Sequence, residues 1–192
     1  GTQGNPINYI AEGYVRIQSL AYDAGVQEHP SDPNPNYGPV WLEDVDYIVV
    51  EGIEFASSRG FGRITRSDHN IFKSCNFTQP TSDWRIGLNL FESYYNRFEN
   101  NRFAGQSDNL RLIHSDYNVI EGNYFYDARH VLLALKCSSN NVIRNNHFDN
   151  QIQKAMELYD CEQDTMQDHR NYPYHQFTAI TNEAQYNLLE DN

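Results

Sequence analysis

Five ionisable residues recur at intervals of about 22–26 positions along a 192-residue chain: Arg66, Glu92, His114, Lys136 and Asp160. The first four stand four or five residues before an Asn that opens a short repeated pattern. Brought into one file, neighbours would lie ~5 Å apart and shift one another's proton affinities. A lysine between a histidine and an aspartate is placed for general-base work, although the aspartate favours its charged form. The plain alternative is an exposed ladder of alternating charge. A neighbouring file reads Ser67, Ser93, Ser115, Cys137 and Cys161. Its two cysteines are compatible with a disulfide and equally with two stacked thiols.

Whether such files exist depends on the elements that carry them. The repeated pattern is NIFKSCNF from Asn70, NRFENNRF from Asn96, NVIEGNYF from Asn118 and NVIRNNHF from Asn141, with a degenerate IVVEGIEF from Ile48 and a truncated NLLEDN from Asn187. A period near 22 residues signals a solenoid. Apolar runs are short, alternate with period two as in LNLF and LRLI, and are broken by Gly, Asn, Ser and Asp. That pattern predicts short strands, not helices. The expected fold is all-β, a right-handed single-stranded parallel β-helix of ~22-residue coils stacked ~4.8 Å apart. The repeat then becomes columns. Phe55, Phe77, Phe103, Phe125 and Phe148 form one. Val50, Phe72, Phe98, Ile120, Ile143 and Leu189 form a second apolar column. Asn70, Asn96, Asn118, Asn141 and Asn187 form a third, suited to an amide ladder. Glu51, Lys73, Glu99, Glu121, Arg144 and Glu190 form a solvated mixed-charge face, and Tyr47, His69, Tyr95, Tyr117, Asn140 and Tyr186 a further column.

A single domain over residues 1–192 is expected, with loops at 23–38, 78–87 and 163–176. The truncated last copy leads us to expect further β-helix coils or a partner chain at that end. The chain starts at Gly1 without an initiator Met, as a processed or excised chain would. No apolar run approaches the ~20 residues of a membrane span, so membrane insertion is not expected. A net charge of −12 argues against nucleic acid as a partner. Asn is the compositional outlier at 22 residues, and its preference for turns fits a fold made of many stacked corners.

The NxIxxNxF repeats, the opening GTQGNPI and the later YIVVEGIEF resemble the pectate-lyase-like right-handed β-helix superfamily. The layout is closest to the polysaccharide lyase family of chondroitinase B and alginate lyases. LALKCSSNNVIRNNHF places Lys136 at the matching lysine, with one extra residue before Asn141. The resemblance implies cleavage of an acidic glycan by β-elimination. Lys136 would be the base at sugar C5, His114 or Tyr159 the proton donor, and Arg66, Arg111 or Arg129 the cation that neutralises the uronate carboxylate. Where the family has acidic calcium ligands this chain has Arg129 and Val131, and where it has a catalytic arginine, Tyr159 and Asp160. Glu92 and Asp160 join the substrate-binding candidates, as do Arg85 (beside Trp84), Arg170, Tyr172 and His175 on the loops. Outward rings of the Tyr47 column could stack on sugar faces, and the plainer reading of that column is an aromatic ladder packing the turns. No family metal motif appears, and a Ca²⁺ site from Asp160, Glu162 and Asp164 is compatible with the sequence. The resemblance further implies a secreted or cell-surface location. The alternative reading is a non-catalytic glycan-binding or structural β-helix, as in tailspikes, adhesins or secreted surface proteins.

Overall fold

The computed structural model describes residues 1–19, 38–57, 60–78, 86–105, 108–149, 153–159 and 188–192. Among these residues the chain forms seventeen strands and no helix. After β1 (Ile7–Ser19) and β2 (Val40–Glu43), the long β3 (Ile48–Ser57) spans a corner. Three-strand coils follow. They are β4 (Gly62–Thr65), β5 (Ile71–Lys73) and β6 (Asn76–Thr78), then β7 (Ile86–Phe91), β8 (Arg97–Glu99) and β9 (Arg102–Ala104). Next come β10 (Asp108–Ile113), β11 (Val119–Glu121) and β12 (Tyr124–Tyr126), then β13 (Val131–Lys136), β14 (Val142–Arg144) and β15 (His147–Asp149). β16 (Lys154–Tyr159) and β17 (Leu188–Glu190) complete the order. Each strand pairs in parallel with its counterpart one coil away. One six-stranded sheet runs β16-β13-β10-β7-β4-β2, and the remaining strands form an eleven-stranded sheet. This is the expected parallel β-helix.

The columns form as the repeat requires. Phe55, Phe77, Phe103, Phe125 and Phe148 stack with centroids 5.1, 4.7, 4.9 and 5.2 Å apart. Val50, Phe72, Phe98, Ile120, Ile143 and Leu189 share one register. The mixed-charge column also forms, with Lys73–Glu51 at 3.2 Å and Arg144–Glu121 at 2.9 Å. Inward Leu88, Leu90, Leu110, Leu112, Leu133 and Leu135 fill the core from the six-stranded side. Thr78 ends β6, and Ile86 and Gly87 open β7, so the predicted 78–87 loop is shorter at both ends. The other predicted loops lie outside the described residues, except Gly38.

Corners decide the register. The backbone turns through left-handed conformations at Arg66, Glu92, His114 and Cys137 (φ 46–50°), and again at His69, Tyr95, Tyr117 and Asn140 (φ 57–59°). Such conformations are costly for residues other than Gly and persist only where surroundings fix them. Side-chain ladders supply that fixation. The Asn96 N–H donates to Asn118 Oδ1 at 2.8 Å, and the Asn118 N–H to Asn141 Oδ1 at 2.8 Å. A serine ladder runs beside it. The N–H groups of Ser67, Ser93 and Ser115 donate to the hydroxyls of Ser93, Ser115 and Ser138. A second Asn ladder joins Asn101, Asn123, Asn146 and Asn192. Cys75 occupies the first rung of that ladder. Its N–H donates to Asn101 Oδ1, and its thiol donates to the Val50 carbonyl, as the Asn101 amide does to Phe72. The buried, free Cys75 is thus a ladder residue.

A fourth, acidic ladder carries a pH-dependent contribution. The N–H groups of Tyr94 and Ser139 donate to the carboxylates of Asp68 and Asp116, each at 2.7 Å. Burial raises both carboxyls above their ordinary range, and these backbone donors only partly offset it. A raised acid binds its proton more tightly in the native state. Its contribution therefore favours folding at low pH and is lost as pH rises through the carboxylate range. Asp116→Asn keeps an acceptor for Ser139 without the charge. It is expected to stabilise the protein more at about pH 7 than at about pH 4 in thermal unfolding. A larger gain at the acidic pH would show that the ionised carboxylate contributes net stability.

Candidate functional site

The predicted active file is displaced at one position. Strand pairing places Ile113 beside Lys136 and Phe91 beside Ile113, so Lys136 belongs to the outward column Glu43, Thr65, Phe91, Ile113 and Lys136, with the backbone of Tyr159 next in register. The left-handed corner file is Asp44, Arg66, Glu92, His114 and Cys137. The physical reason is constant corner length. His114 stands four positions before Asn118, and Cys137 four positions before Asn141. The extra residue lies upstream, between β12 and β13. The small-residue file is likewise continued by Ser138, not by Cys137. Cys137 is disulfide-bonded. Its predicted partner Cys161 lies outside the described residues.

The outward face of the six-stranded sheet holds a second column: Trp41, Arg63, Asn89, Arg111, Ala134 and Glu157. Alternation puts these side chains opposite the leucines of the core. Asn89 is 0% exposed, and neither its carbonyl oxygen nor its amide nitrogen has a hydrogen-bond partner. Arg63 Nε and Thr65 Oγ1, one coil away, are also buried and unpartnered. Each unmade bond costs on the order of 1–3 kcal/mol, so three neighbouring orphan side chains are a departure that invites explanation. The unpartnered donors are the Asn89 amide, Arg63 Nε and the Thr65 hydroxyl, and Asn89 Oδ1 is an unpartnered acceptor among them. Arg63 lies over the Trp41 ring at 4.8 Å, and Trp41 is 42% exposed, opening this end of the row to solvent.

Among the catalytic candidates, Lys136 is 8% exposed and pairs in register with Tyr159. The His114 N–H donates to the Lys136 carbonyl at 3.0 Å. All three therefore gather at one edge of the sheet. The His114 ring meets Phe91 edge-on at 6.4 Å, and Phe91 and Ile113 form a small apolar floor in Lys136's own column. Arg111 stands two residues inboard of that column, in the row beside Asn89. Arg66 is drawn away. Its guanidinium donates twice to Asp44, at 2.7 and 2.8 Å, and once to Glu43 at 3.0 Å. That pairing holds Asp44 below its ordinary range and Arg66 above its own. Glu92 is a corner residue whose N–H donates to the Ile113 carbonyl. Arg129 precedes β13, at the opposite sheet edge from Lys136. Arg85, Asp160, Arg170, Tyr172 and His175 lie outside the described residues.

Arg63, Asn89, Asp108, His130 and Glu157 were not anticipated. The first two had a signal, the outward residue ahead of Ile64 in GRIT and the polar centre of LNL. Asp108 and His130 lie outside the repeat frame. His130 Nδ1 is 2.8 Å from Asp108 Oδ1, and Arg111 is 3.8 Å from the other Asp108 oxygen.

One further expectation resolves against function. The rings of Tyr47, His69, Tyr95 and Tyr117 stack 4.9–5.1 Å apart within 10° of parallel. Their faces cover one another and only edges meet solvent, so sugar stacking along this column is blocked. The column is a corner-packing device. For calcium, Arg129 and the fully buried Val131 stand where acidic ligands would be needed, and neither offers a carboxylate. Among the described residues no group of three His, Cys, Asp or Glu has metal-holding geometry. Asp160, Glu162 and Asp164 lie outside the described residues.

A family model described as the right handed beta helix region matches residues 33–169. No curated protein and no solved structure matches the chain. The family match covers well over half the chain and agrees with its stacked parallel coils, and the chain belongs to the right-handed β-helix family.

Proposed function

We propose that this β-helix binds an acidic polysaccharide along the outward face of its six-stranded sheet and cleaves it by β-elimination. The carrying observation is the buried, unpartnered Asn89 amide between Arg63 and Arg111. Carboxylate and hydroxyl oxygens are acceptors that the Asn89 amide nitrogen and Arg63 Nε lack, and a hydroxyl can also donate to Asn89 Oδ1. A cationic row in a chain of net charge −12 also selects for an anionic ligand. Stacked coils repeat every ~4.8 Å, so an extended glycan lying across them meets equivalent side chains in succession. Arg111 would neutralise the uronate carboxylate, which acidifies the neighbouring C5 proton. Lys136, one coil on and two residues outboard, would remove that proton, with His114 on the adjacent corner and Tyr159 next in register. Calcium has no part in this reading. A disulfide at Cys137 suits a secreted or surface location.

Elimination leaves a conjugated unsaturated uronate, visible as rising near-ultraviolet absorbance. Incubation with alginate, pectate, chondroitin and dermatan, with and without Ca²⁺, is expected to give that rise with at least one glycan. No rise with any of them removes the lyase reading. Retention on an acidic-glycan resin, lost in Arg111→Gln, would then leave non-catalytic binding at the same row.

A further inference from the structure

We propose that His130 is the acid that protonates the departing glycosidic oxygen on this face. The inference rests on the lyase reading and adds a residue to it. Three coils hold the imidazole. Its Nδ1 faces Asp108 Oδ1 at 2.8 Å from the coil before, and its backbone carbonyl accepts the Lys154 N–H at 2.9 Å from the coil after. Asp108 is buried, with its side chain 8% exposed, while the His130 side chain is 31% exposed. A buried carboxylate behind a half-open imidazole fixes the ring and its tautomer: the Nδ1 proton points at Asp108 and Nε2 becomes the exchanging atom. Nε2 faces Glu157 Oε2 at 3.9 Å, too far for a hydrogen bond. At that separation no atom fits between the two, and a sugar oxygen would meet Nε2 from the exposed side of the ring. Glu157, which also pairs with Lys154, lies in the outward row of Arg111 and Asn89. His130 Nε2 therefore stands beside the proposed glycan track.

His130 immediately precedes β13 and Lys136 ends it, so their backbones are ~20 Å apart with the Arg111 row between them. Both side chains must lean along the sheet toward each other to meet a single pyranose ring. Base and acid then approach from opposite sides, whereas His114 and Tyr159 share Lys136's end. The step balances as follows. The neutral Lys136 amine takes the C5 proton, and the C5–H electron pair becomes the C4–C5 double bond. The C4–O4 bond breaks, and O4 takes the Nε2 proton of the His130 imidazolium. Solvent then returns a proton to His130 and receives one from Lys136.

The test compares wild type, His130→Ala, His130→Gln and Lys136→Ala on whichever glycan gives unsaturated product, with kcat and KM measured against pH and folding checked by thermal melting. His130→Ala is expected to lower kcat at least about 100-fold, with KM within a few-fold. His130→Gln keeps a donor toward Asp108 but carries no transferable proton. It should fold as wild type and be as inactive, which also covers the case where the alanine variant misfolds. A His130→Gln enzyme within threefold of wild-type kcat overturns the inference. If Lys136→Ala is dead in the same experiment, the lyase reading survives that failure. A wild type that forms no product overturns both.

Discussion

Lys136→Ala is expected to abolish formation of unsaturated product, lowering kcat by about 10²–10⁴ while the protein still melts cooperatively. The size follows from its proposed role. Proton abstraction from carbon needs a base at hydrogen-bond distance, and no other described amine lies in the column beside Arg111. The fold should tolerate the change because Lys136 ends a strand on the outward face, in register with Ile113, and its backbone carbonyl keeps the His114 bond. Lys136→Arg is the sharper variant. It preserves charge and much of the volume, but a guanidinium does not release its proton, so it should be as inactive as alanine. An active arginine variant would mean that Lys136 supplies charge and the base is elsewhere.

Phe103→Ala is expected to destabilise the protein by about 3–5 kcal/mol in chemical denaturation, with unchanged coil geometry in the surviving fold. Phe103 is the middle ring of its column, stacked on Phe77 at 4.7 Å and on Phe125 at 4.9 Å, and it is fully buried. Its removal leaves a cavity bounded above and below by rings fixed to their own coils. Backbone hydrogen bonds hold the coil spacing, so the column cannot close on the gap. Phe148→Ala, at a less buried end of the column, should cost clearly less. Equal losses would mean that stability resides in the backbone ladders and not in the aromatic stack.

The solenoid was legible in the sequence because its determinants are local and repeated. Phe and Asn recur in a fixed frame, and each coil faces the same packing problem. The register of Lys136 was not legible, since the one-residue insertion in its coil could sit on either side of it. Corner geometry resolves this: the left-handed residue stands four positions before each Asn, which makes Cys137 the corner. The second Asn ladder was half visible as the inner Asn of NxIxxNxF, but Cys75 masked its first rung. The outward row could be read as the polar centres of LNL and LRL once strands were assigned. The Asp108–His130 pair could not. Its members stand at strand ends outside the repeat frame, and only stacking brings 22 residues of separation down to 2.8 Å. The tyrosine column was open to two readings in the sequence, and parallel stacking of its rings decides for the corner-packing ladder.

The most direct measurement is a crystal structure of the Lys136→Ala protein with an acidic oligosaccharide that the wild type cleaves. The account predicts sugar density crossing the coils on the outward face of the six-stranded sheet, with one uronate carboxylate bonded to Arg111 and the Asn89 amide. An oligosaccharide ordered on the eleven-stranded sheet, with Asn89 still unpartnered, would contradict it.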